Sequence, residues 1–171
     1  MKRLTLLRHA KSSWTETSLA DHERVLSARG ERDAPKTGQR MMARKVRPSL
    51  IISSSAVRAR QTAKIVAEAL KYPAEFLQFE RELYLAAAEK LLELICSQED
   101  NFANLLIIGH NPGLTALVNQ LLPALDMSNL PTSGFVTMDF NTKQWSEITA
   151  VNAEFVFYDY PKSPELLLID D

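Results

Sequence analysis

The sequence predicts an α/β fold, specifically a three-layer α/β/α sandwich with a mostly parallel central sheet. Two observations predict it. Short, nearly continuous apolar runs at residues 4–7, 50–52 and 105–108 are typical of strands buried in a parallel sheet. The segments between these runs place apolar residues at helical spacing, and strands that alternate with helices form a sheet covered on both faces. The 171 residues suit a single domain, residues 1–171.

The first half of the chain contains recognisable helix starts and stops. Ser27 is a good N-cap, and Tyr72-Pro73 ends a helix. In the first helix, Ala34, Met41 and Met42 are predicted to face the core. The elements predicted here are, in order, strand 3–7, polar loop 10–23, helix 28–44, strand 49–53, helix 56–70 and short strand 74–79.

The second half of the chain continues the alternation of strands and helices to residue 122, and a pair of strands is predicted after it. Asn111-Pro112 predicts a helix start, because Asn is a good cap and Pro suits the first turn. The tail from Glu154 onward mixes aromatics with prolines and yields no assignment. The remaining predictions are a connection at 82–84, helix 87–98, strand 104–109, a helix to 122, and strands 134–140 and 144–151 paired around 141–143.

Composition excludes several classes of function. The net charge of -1 argues against a broad nucleic-acid surface, which requires a basic stripe. No apolar stretch approaches the roughly 20 residues that span a bilayer, and the N-terminal apolar run is too short for a signal peptide. The single cysteine, Cys96, excludes an internal disulfide and falls on a predicted helix, where a packed thiol is expected. We therefore expect a cytoplasmic protein with no nucleic-acid or membrane partner.

Polar side chains follow three of the predicted strands. Arg8 and His9 come after the first, Ser54 and Arg58 after the second, and His110 after the third. Ligands of open α/β sheets bind beyond the carboxyl ends of the strands. Arginine forks, imidazoles and helix N-termini all favour an oxyanion. The sequence therefore predicts an anion site at this edge of the sheet.

Structural interpretations compete with each of these assignments. Taken singly, a histidine is more often a satisfied core group, Ser54 a cap and Arg58 a solvated helix charge. A metal site is the sharper competitor, but only two histidines are available and Arg8 would repel a cation. The third histidine, His22, is interpreted as structural. Trp14 and Trp145 are interpreted as packing residues, and Arg24 as an ion-pair partner of Asp21.

Three motifs carry a resemblance to a known family. They are Leu7-Arg8-His9-Ala10-Lys11-Ser12, Ser54-x-x-x-Arg58-Ala59-Arg60-Gln61-Thr62-Ala63 and Gly109-His110-Asn111-Pro112-Gly113. In this order and at these places, they resemble the histidine phosphatase superfamily, whose fold is phosphoglycerate mutase-like. The Arg-His-Ala-Lys-Ser form, with Trp14, looks like the SixA-type phosphohistidine phosphatase branch. The resemblance runs from residue 3 to about 140.

The resemblance implies a mechanism. Neutral His9 would attack phosphorus and form a phosphohistidine intermediate, which water then hydrolyses. Arg8, Arg58 and a protonated His110 would hold the phosphoryl oxygens, so no metal or other cofactor is expected. Lys11 and Ser12, which follow the nucleophile, together with Ser54 and Asn111, are the candidates for binding substrate.

The general acid is less sharply defined. In many relatives a mid-chain acidic residue protonates the leaving group, and Glu82 is the best-placed candidate. Glu80 and Glu89 compete with it, and a solvated glutamate is an equal alternative for each. An imidazole leaving group has a pKa near 6.5 and departs more readily than an alkoxide, so phosphohistidine hydrolysis has less need of an acid.

The predicted function is a metal-independent phosphatase acting on phosphohistidine in a protein partner. A small-molecule phosphomonoesterase of the same superfamily is the alternative among enzymes, and a phospho-ligand binding module with little turnover is the alternative from another class. Few residues are free to form a lid, which favours an open site.

Overall fold

One six-stranded sheet organises the molecule, and the computed structural model describes residues 1–164. Its spatial order is β3-β2-β4-β1-β5-β6. The pairs among the first four strands are parallel, whereas β5 runs antiparallel to both β1 and β6. The prediction of a mostly parallel sheet is confirmed. The strands are β1 (Lys2–Arg8), β2 (Leu50–Ser54), β3 (Gln78–Glu80), β4 (Asn104–Gly109), β5 (Phe135–Phe140) and β6 (Ala153–Asp159).

Helices cover both faces of the sheet. They are α1 (Ala28–Ala43), α2 (Val57–Ala69), α3 (Ala88–Cys96) and α4 (Gly113–Leu121). Alternate residues of one strand point to opposite faces. Ile51 of β2 accordingly packs with Met41 and Val66 of α1 and α2, while Ile52 packs with residues of α3 and α4. These two apolar clusters make the fold a three-layer α/β/α sandwich, as predicted.

The start of α1 is fixed to the segment that follows His9. Ser27 caps the helix, its Oγ accepting a hydrogen bond from the Gly30 amide at 3.1 Å. A Cβ on Gly30 would lie 2.1 Å from the Lys11 carbonyl oxygen, so only glycine permits this approach. The predicted cap is confirmed, and it brings the loop after β1 against the first turn of α1.

The C-terminal strand pair was placed wrongly from the sequence. The second strand is β6, not residues 144–151, and it includes part of the tail that received no assignment. Residues 145–147 form a 3-10 turn instead, because Trp145 is fully buried and its indole N–H donates to the Phe102 carbonyl at 2.7 Å. The tail residues 165–171 lie outside the described part of the chain.

Smaller corrections concern segments with weak patterns. Met42 was expected in the core but is 37% exposed. Of the short strand predicted at 74–79, residues 74–76 form a 3-10 turn and β3 covers only 78–80. Helix α3 is shorter at both ends than the predicted helix 87–98, because it begins at Ala88 and ends at Cys96. None of the helices within residues 1–164 is long and apolar enough to cross a membrane.

Candidate active site

The strand ends bring His9 to the edge of the sheet in a defined tautomer. His9 follows β1, and its backbone amide donates to the Gly109 carbonyl at 3.1 Å. Its ring Nδ1 lies 2.7 Å from the carbonyl oxygen of Ala10. A carbonyl can only accept, so Nδ1 carries the proton and Nε2 keeps a free lone pair. The atom left for chemistry is therefore Nε2.

The surroundings of His9 favour its neutral form. The pKa of the imidazole is lowered from 6.5 to about 3, and burial is the largest cause. The hydrogen bond to Ala10 opposes this shift, while the positive charges of Arg58, Arg8 and Arg24 add to it. Since a protonated ring has no lone pair at Nε2, this environment keeps the ring in its nucleophilic state at neutral pH.

Arg58 lies between the two histidines. It occupies the first turn of α2, and its side chain is almost fully buried. Its Nε donates toward His9 Nε2, and one terminal nitrogen toward His110 Nδ1, each at 3.4 Å. The terminal nitrogens also donate to Asp21, to its backbone oxygen at 2.7 Å and to its carboxylate at 3.1 Å. Asp21 thus orients the arginine toward both rings.

His110 completes the pair of imidazoles. Its ring centroid lies 5.0 Å from that of His9, and its Nε2 lies 2.7 Å from Ser54 Oγ. Burial, His9 and Arg58 lower the pKa of His110 to about 3. The protein groups alone therefore favour a neutral ring, whereas the family resemblance implies an imidazolium. The negative charge of a phosphoryl group would be needed to raise this pKa.

Arg8 is a second arginine at this site, and only some of its guanidinium donors have hydrogen-bond acceptors in the described part of the chain. One terminal nitrogen donates to the Leu130 carbonyl at 3.0 Å, but the buried Nε has no hydrogen-bond partner among residues 1–164. Burial and the charge of Arg58 lower the pKa of Arg8. A buried donor without an acceptor is costly, and an oxyanion supplies one.

The predicted substrate-binding residues have different surroundings. Ser54 bonds His110, and the buried Ser12 accepts a hydrogen bond from Arg24 through its hydroxyl. Lys11 is exposed. Both ends of the Asn111 amide are engaged by protein atoms: its Nδ2 donates to the Leu130 carbonyl at 2.8 Å, and its Oδ1 accepts from the amide and hydroxyl of Thr115.

Glu82, the candidate acid, is exposed to solvent, and within the described residues it forms no hydrogen bond or ion pair with either histidine. Its side chain is 63% exposed, and its carboxylate lies 3.7 Å from the Lys90 ammonium. The carboxylate that bonds the site is Asp21, whose Oδ2 accepts from the Tyr84 hydroxyl as well as from Arg58. Burial alone raises the pKa of Asp21, but the hydrogen bond from Tyr84 and the charge of Arg58 hold it below its ordinary value.

Besides Asp21, two other side chains at this site, Arg24 and Tyr84, were not among the predicted site residues. Arg24 stacks on Trp14, with its guanidinium carbon 3.3 Å from the ring centroid, and adds its charge to the surroundings of His9. The Tyr84 ring contacts His110 edge-on at 5.5 Å. Both lie in connections rather than at the ends of strands, so the strand-end rule did not select them. The predicted pairing of Arg24 with Asp21 is present, at 3.5 Å.

The assembled groups can capture and attack an anion. The Arg58 guanidinium donates toward the buried Nε2 of His9, the charge of Arg8 acts on the same ring, and the His110 ring centroid lies 5.0 Å from that of His9. Fixed donors in a dry site stabilise charge that develops on phosphoryl oxygens. No group of three or more His, Cys, Asp or Glu side chains within residues 1–164 is arranged to hold a metal ion.

Comparisons with known proteins agree with this chemistry. The family model of the histidine phosphatase superfamily (branch 1) matches residues 4–104. An uncharacterised chloroplastic protein of Arabidopsis thaliana is 33% identical over 88% of this chain and 72% of its own length. An uncharacterised protein of Mycobacterium tuberculosis is 30% identical over 91% of this chain and its own full length.

Solved structures show the same fold. The putative phosphohistidine phosphatase SixA from Agrobacterium tumefaciens has a TM-score of 0.79 and 29% identity, with 94% of this chain and 98% of that chain covered. A protein histidine phosphatase SixA complexed with tungstate has a TM-score of 0.74 and 21% identity, with 93% and 97% covered. The chain belongs to the histidine phosphatase superfamily. It is a phosphatase.

Proposed function

We propose that this phosphatase works through a phosphohistidine intermediate on His9 and that its substrate is phosphohistidine in a protein partner. The observation that carries the proposal is the unprotonated Nε2 of the buried His9, toward which the Arg58 Nε–H donates at 3.4 Å. A neutral imidazole held beside cationic donors is equipped to attack a phosphoryl group.

The proposed reaction has two displacements. The substrate imidazole first takes a proton from solvent on its other nitrogen, which a pKa near 6.5 allows. His9 Nε2 then forms a bond to phosphorus as the P–N bond breaks, and the substrate ring leaves as neutral imidazole. Water then attacks the phosphoryl group on His9, which releases inorganic phosphate and restores the lone pair at Nε2. Arg8, Arg58 and His110 hold the phosphoryl oxygens in both displacements. Each step is an in-line transfer that depends on positioning and charge.

The position of the acidic residues supports a phosphohistidine substrate. Glu82 is exposed, and the pKa of Asp21 is held below its ordinary value, so neither is a ready proton donor at neutral pH. A sugar or alkyl oxygen is a strongly basic leaving group that needs such a donor, whereas imidazole, with a pKa near 6.5, does not. The likeness to the putative SixA structure at 29% identity supports the same substrate class.

The rim of the site supports a protein partner. Trp14 is 68% exposed and Leu85, the neighbour of Tyr84, is 54% exposed, so these connections display apolar side chains rather than bury them over the histidines. Aromatic residues such as tryptophan are enriched at protein interfaces relative to the rest of the surface. We also propose that residues 1–171 form one domain, which the continuous sheet from β1 to β6 supports. A cytoplasmic location stays a prediction.

A small-molecule phosphomonoesterase is the second candidate, and one observation favours it. The Asp21 carboxylate bonds directly to Arg58 and influences the pKa of His110, so it lies close enough to handle a proton during ester hydrolysis. Its lowered pKa makes the acid form scarce at neutral pH, which is why we place this candidate second.

Trapping the intermediate tests the proposal. Wild-type protein incubated with a radiolabelled phosphoramidate donor is expected to carry acid-labile label, which H9A does not form. Turnover of a phosphohistidine peptide is then compared with that of a sugar phosphate, and we expect the peptide to be preferred. Absence of label on the wild type would refute the phosphohistidine intermediate. A preference for the sugar phosphate would favour the second candidate.

A further inference from the structure

Arg24 is the most unusual charged group outside the strand-end set. It lies in the connection between β1 and α1, where the Ser13 amide donates to the Val25 carbonyl at 2.8 Å and Ser12 pairs with Leu26. This short antiparallel pairing lays Arg24 against the segment that follows the nucleophile. The residue is only 7% exposed, although it belongs to a surface connection.

The guanidinium of Arg24 is held in one orientation from three sides. One terminal nitrogen donates to Ser12 Oγ, the Nε lies 3.5 Å from the Asp21 carboxylate, and the Trp14 ring covers one face at 3.3 Å. Planar stacking and a fork of donors fix arginine in a way that lysine cannot reproduce. These contacts account for the exposed Trp14, which was interpreted from the sequence as a packing residue.

Part of this guanidinium has no acceptor. The other terminal nitrogen, NH1, is buried and has no hydrogen-bond partner among residues 1–164, and the Nε has only its ion contact with Asp21. Burial and the charge of Arg58 lower the pKa of Arg24, and Arg24 in turn lowers the pKa of His9. Arg24, Arg58 and His9 therefore share one electrostatic environment.

The charges of the site are unbalanced. Arg8, Arg24 and Arg58 bring three positive charges to the surroundings of His9, whereas the Asp21 carboxylate contacts only Arg58 and Arg24 among these three. Buried donors without acceptors are destabilising, so native structures keep few of them. The buried nitrogens of Arg8 and Arg24 that have no partner among residues 1–164 are donors that the oxygens of a doubly charged anion can satisfy.

From this geometry we propose that Arg24 is a third phosphoryl-binding arginine, which contacts a substrate oxygen through NH1 and selects dianionic phosphoryl groups. The proposal rests on the proposed function and extends it. A phosphohistidine or a phosphomonoester presents two negative charges, whereas a phosphodiester presents one and leaves one guanidinium unmatched. Trp14, Ser12 and Asp21 act as positioning residues for this contact.

Binding of inorganic phosphate, measured by calorimetry, tests the contact without any turnover. Loss of one buried charge-assisted hydrogen bond in R24Q is expected to weaken binding about 10- to 100-fold. R24K keeps the positive charge but lacks the guanidinium fork and its stacking on Trp14. Its affinity for phosphate should therefore fall less than that of R24Q. R29Q is the matched control, because Arg29 is half exposed and pairs with Asp33. It should bind phosphate within about twofold of the wild type, since exposed pairs contribute little.

A purely structural role for Arg24 gives a different pattern. R24Q would then lower the Tm of the protein alone while its Kd for phosphate stays within about twofold of the wild type, and this outcome overturns the proposal. If R24Q does not fold, W14A provides the test, because Trp14 is exposed and its loss removes only the stacking face. Weaker phosphate binding by both W14A and R24K supports the contact, and unchanged binding by both overturns it. Failure of the wild type to form label on His9 would refute the proposed function instead.

Discussion

Acidification from pH 7.5 to 5.0 is expected to destabilise this protein through its two buried histidines. The pKa values of His9 and His110 lie at about 3 in the folded chain, against about 6.5 in an unfolded one. At pH 5.0 the unfolded state therefore binds a proton on each ring that the folded state does not bind. The stability contributed by the neutral rings is fully present above pH 6.5 and is lost as the pH falls toward 3.

The magnitude follows from the width of that window. Between pH 6.5 and pH 5.0, each histidine lowers the free energy of unfolding by about 1.36 kcal/mol per pH unit. The decrease is about 2 kcal/mol per ring and about 4 kcal/mol for both. This is a large fraction of the 5–15 kcal/mol typical of a domain. Asp21, whose pKa is lowered, titrates below this window and does not contribute to the loss.

Urea unfolding at the two pH values, in buffers without phosphate, measures the effect. Phosphate is left out because a bound dianion would raise the pKa of His110. The double variant H9Q/H110Q has neither titrating ring, so its free energy of unfolding should fall by about 4 kcal/mol less than that of the wild type. Equal losses in the two proteins would refute the argument that burial keeps these rings neutral.

Three further predictions concern single residues. E82Q should leave kcat/KM within about twofold for both a phosphohistidine peptide and a sugar phosphate, because the side chain is exposed; a selective loss of sugar phosphate turnover would restore Glu82 as the acid. D21N should lower kcat/KM about tenfold, measured by phosphate release, because it removes the charged acceptor that orients Arg58; unchanged kinetics would show that Arg58 holds its position without it. G30A should cost about 1–3 kcal/mol in urea unfolding, since the added Cβ would meet the Lys11 carbonyl; an unchanged midpoint would mean that the loop moves freely.

The convergence of four side chains at one edge of the sheet could be predicted from the sequence, because it depends on a rule of topology. Arg8, His9, Arg58 and His110 follow buried strands that pair in parallel, and parallel strands end at one edge. Their convergence needs no knowledge of side-chain packing. The same local reasoning gave the Ser27 cap, which depends on residues within one helical turn.

The acid candidate shows where this reasoning stops. Glu82 and Leu83 are neighbours in one 3-10 turn, and Leu83 is 1% exposed. Burial of the leucine turns the adjacent glutamate outward, where it pairs with Lys90. Sequence shows that an acidic residue lies in this connection, but the packing of its neighbour decides where it points.

The second strand of the C-terminal pair was misplaced for a similar reason. Residues 144–151 have the composition of a strand, yet the burial of Trp145 and its bond to Phe102 draw this segment into a turn. Pairing with β5 then passes to residues 153–159. β-strand propensity is weak beside a contact that buries a large aromatic ring.

The sequence by itself determined the fold class, the parallel core of the sheet and the convergence of four residues at the strand ends. Hydrophobic periodicity is a local property of the sequence, and parallel strands end at one edge of their sheet. Only the tertiary structure decided that Asp21 bonds Arg58, that Arg24 stacks on Trp14, and that burial lowers the pKa of both imidazoles. These features depend on loop paths and on burial, which arise from contacts between residues far apart in the chain.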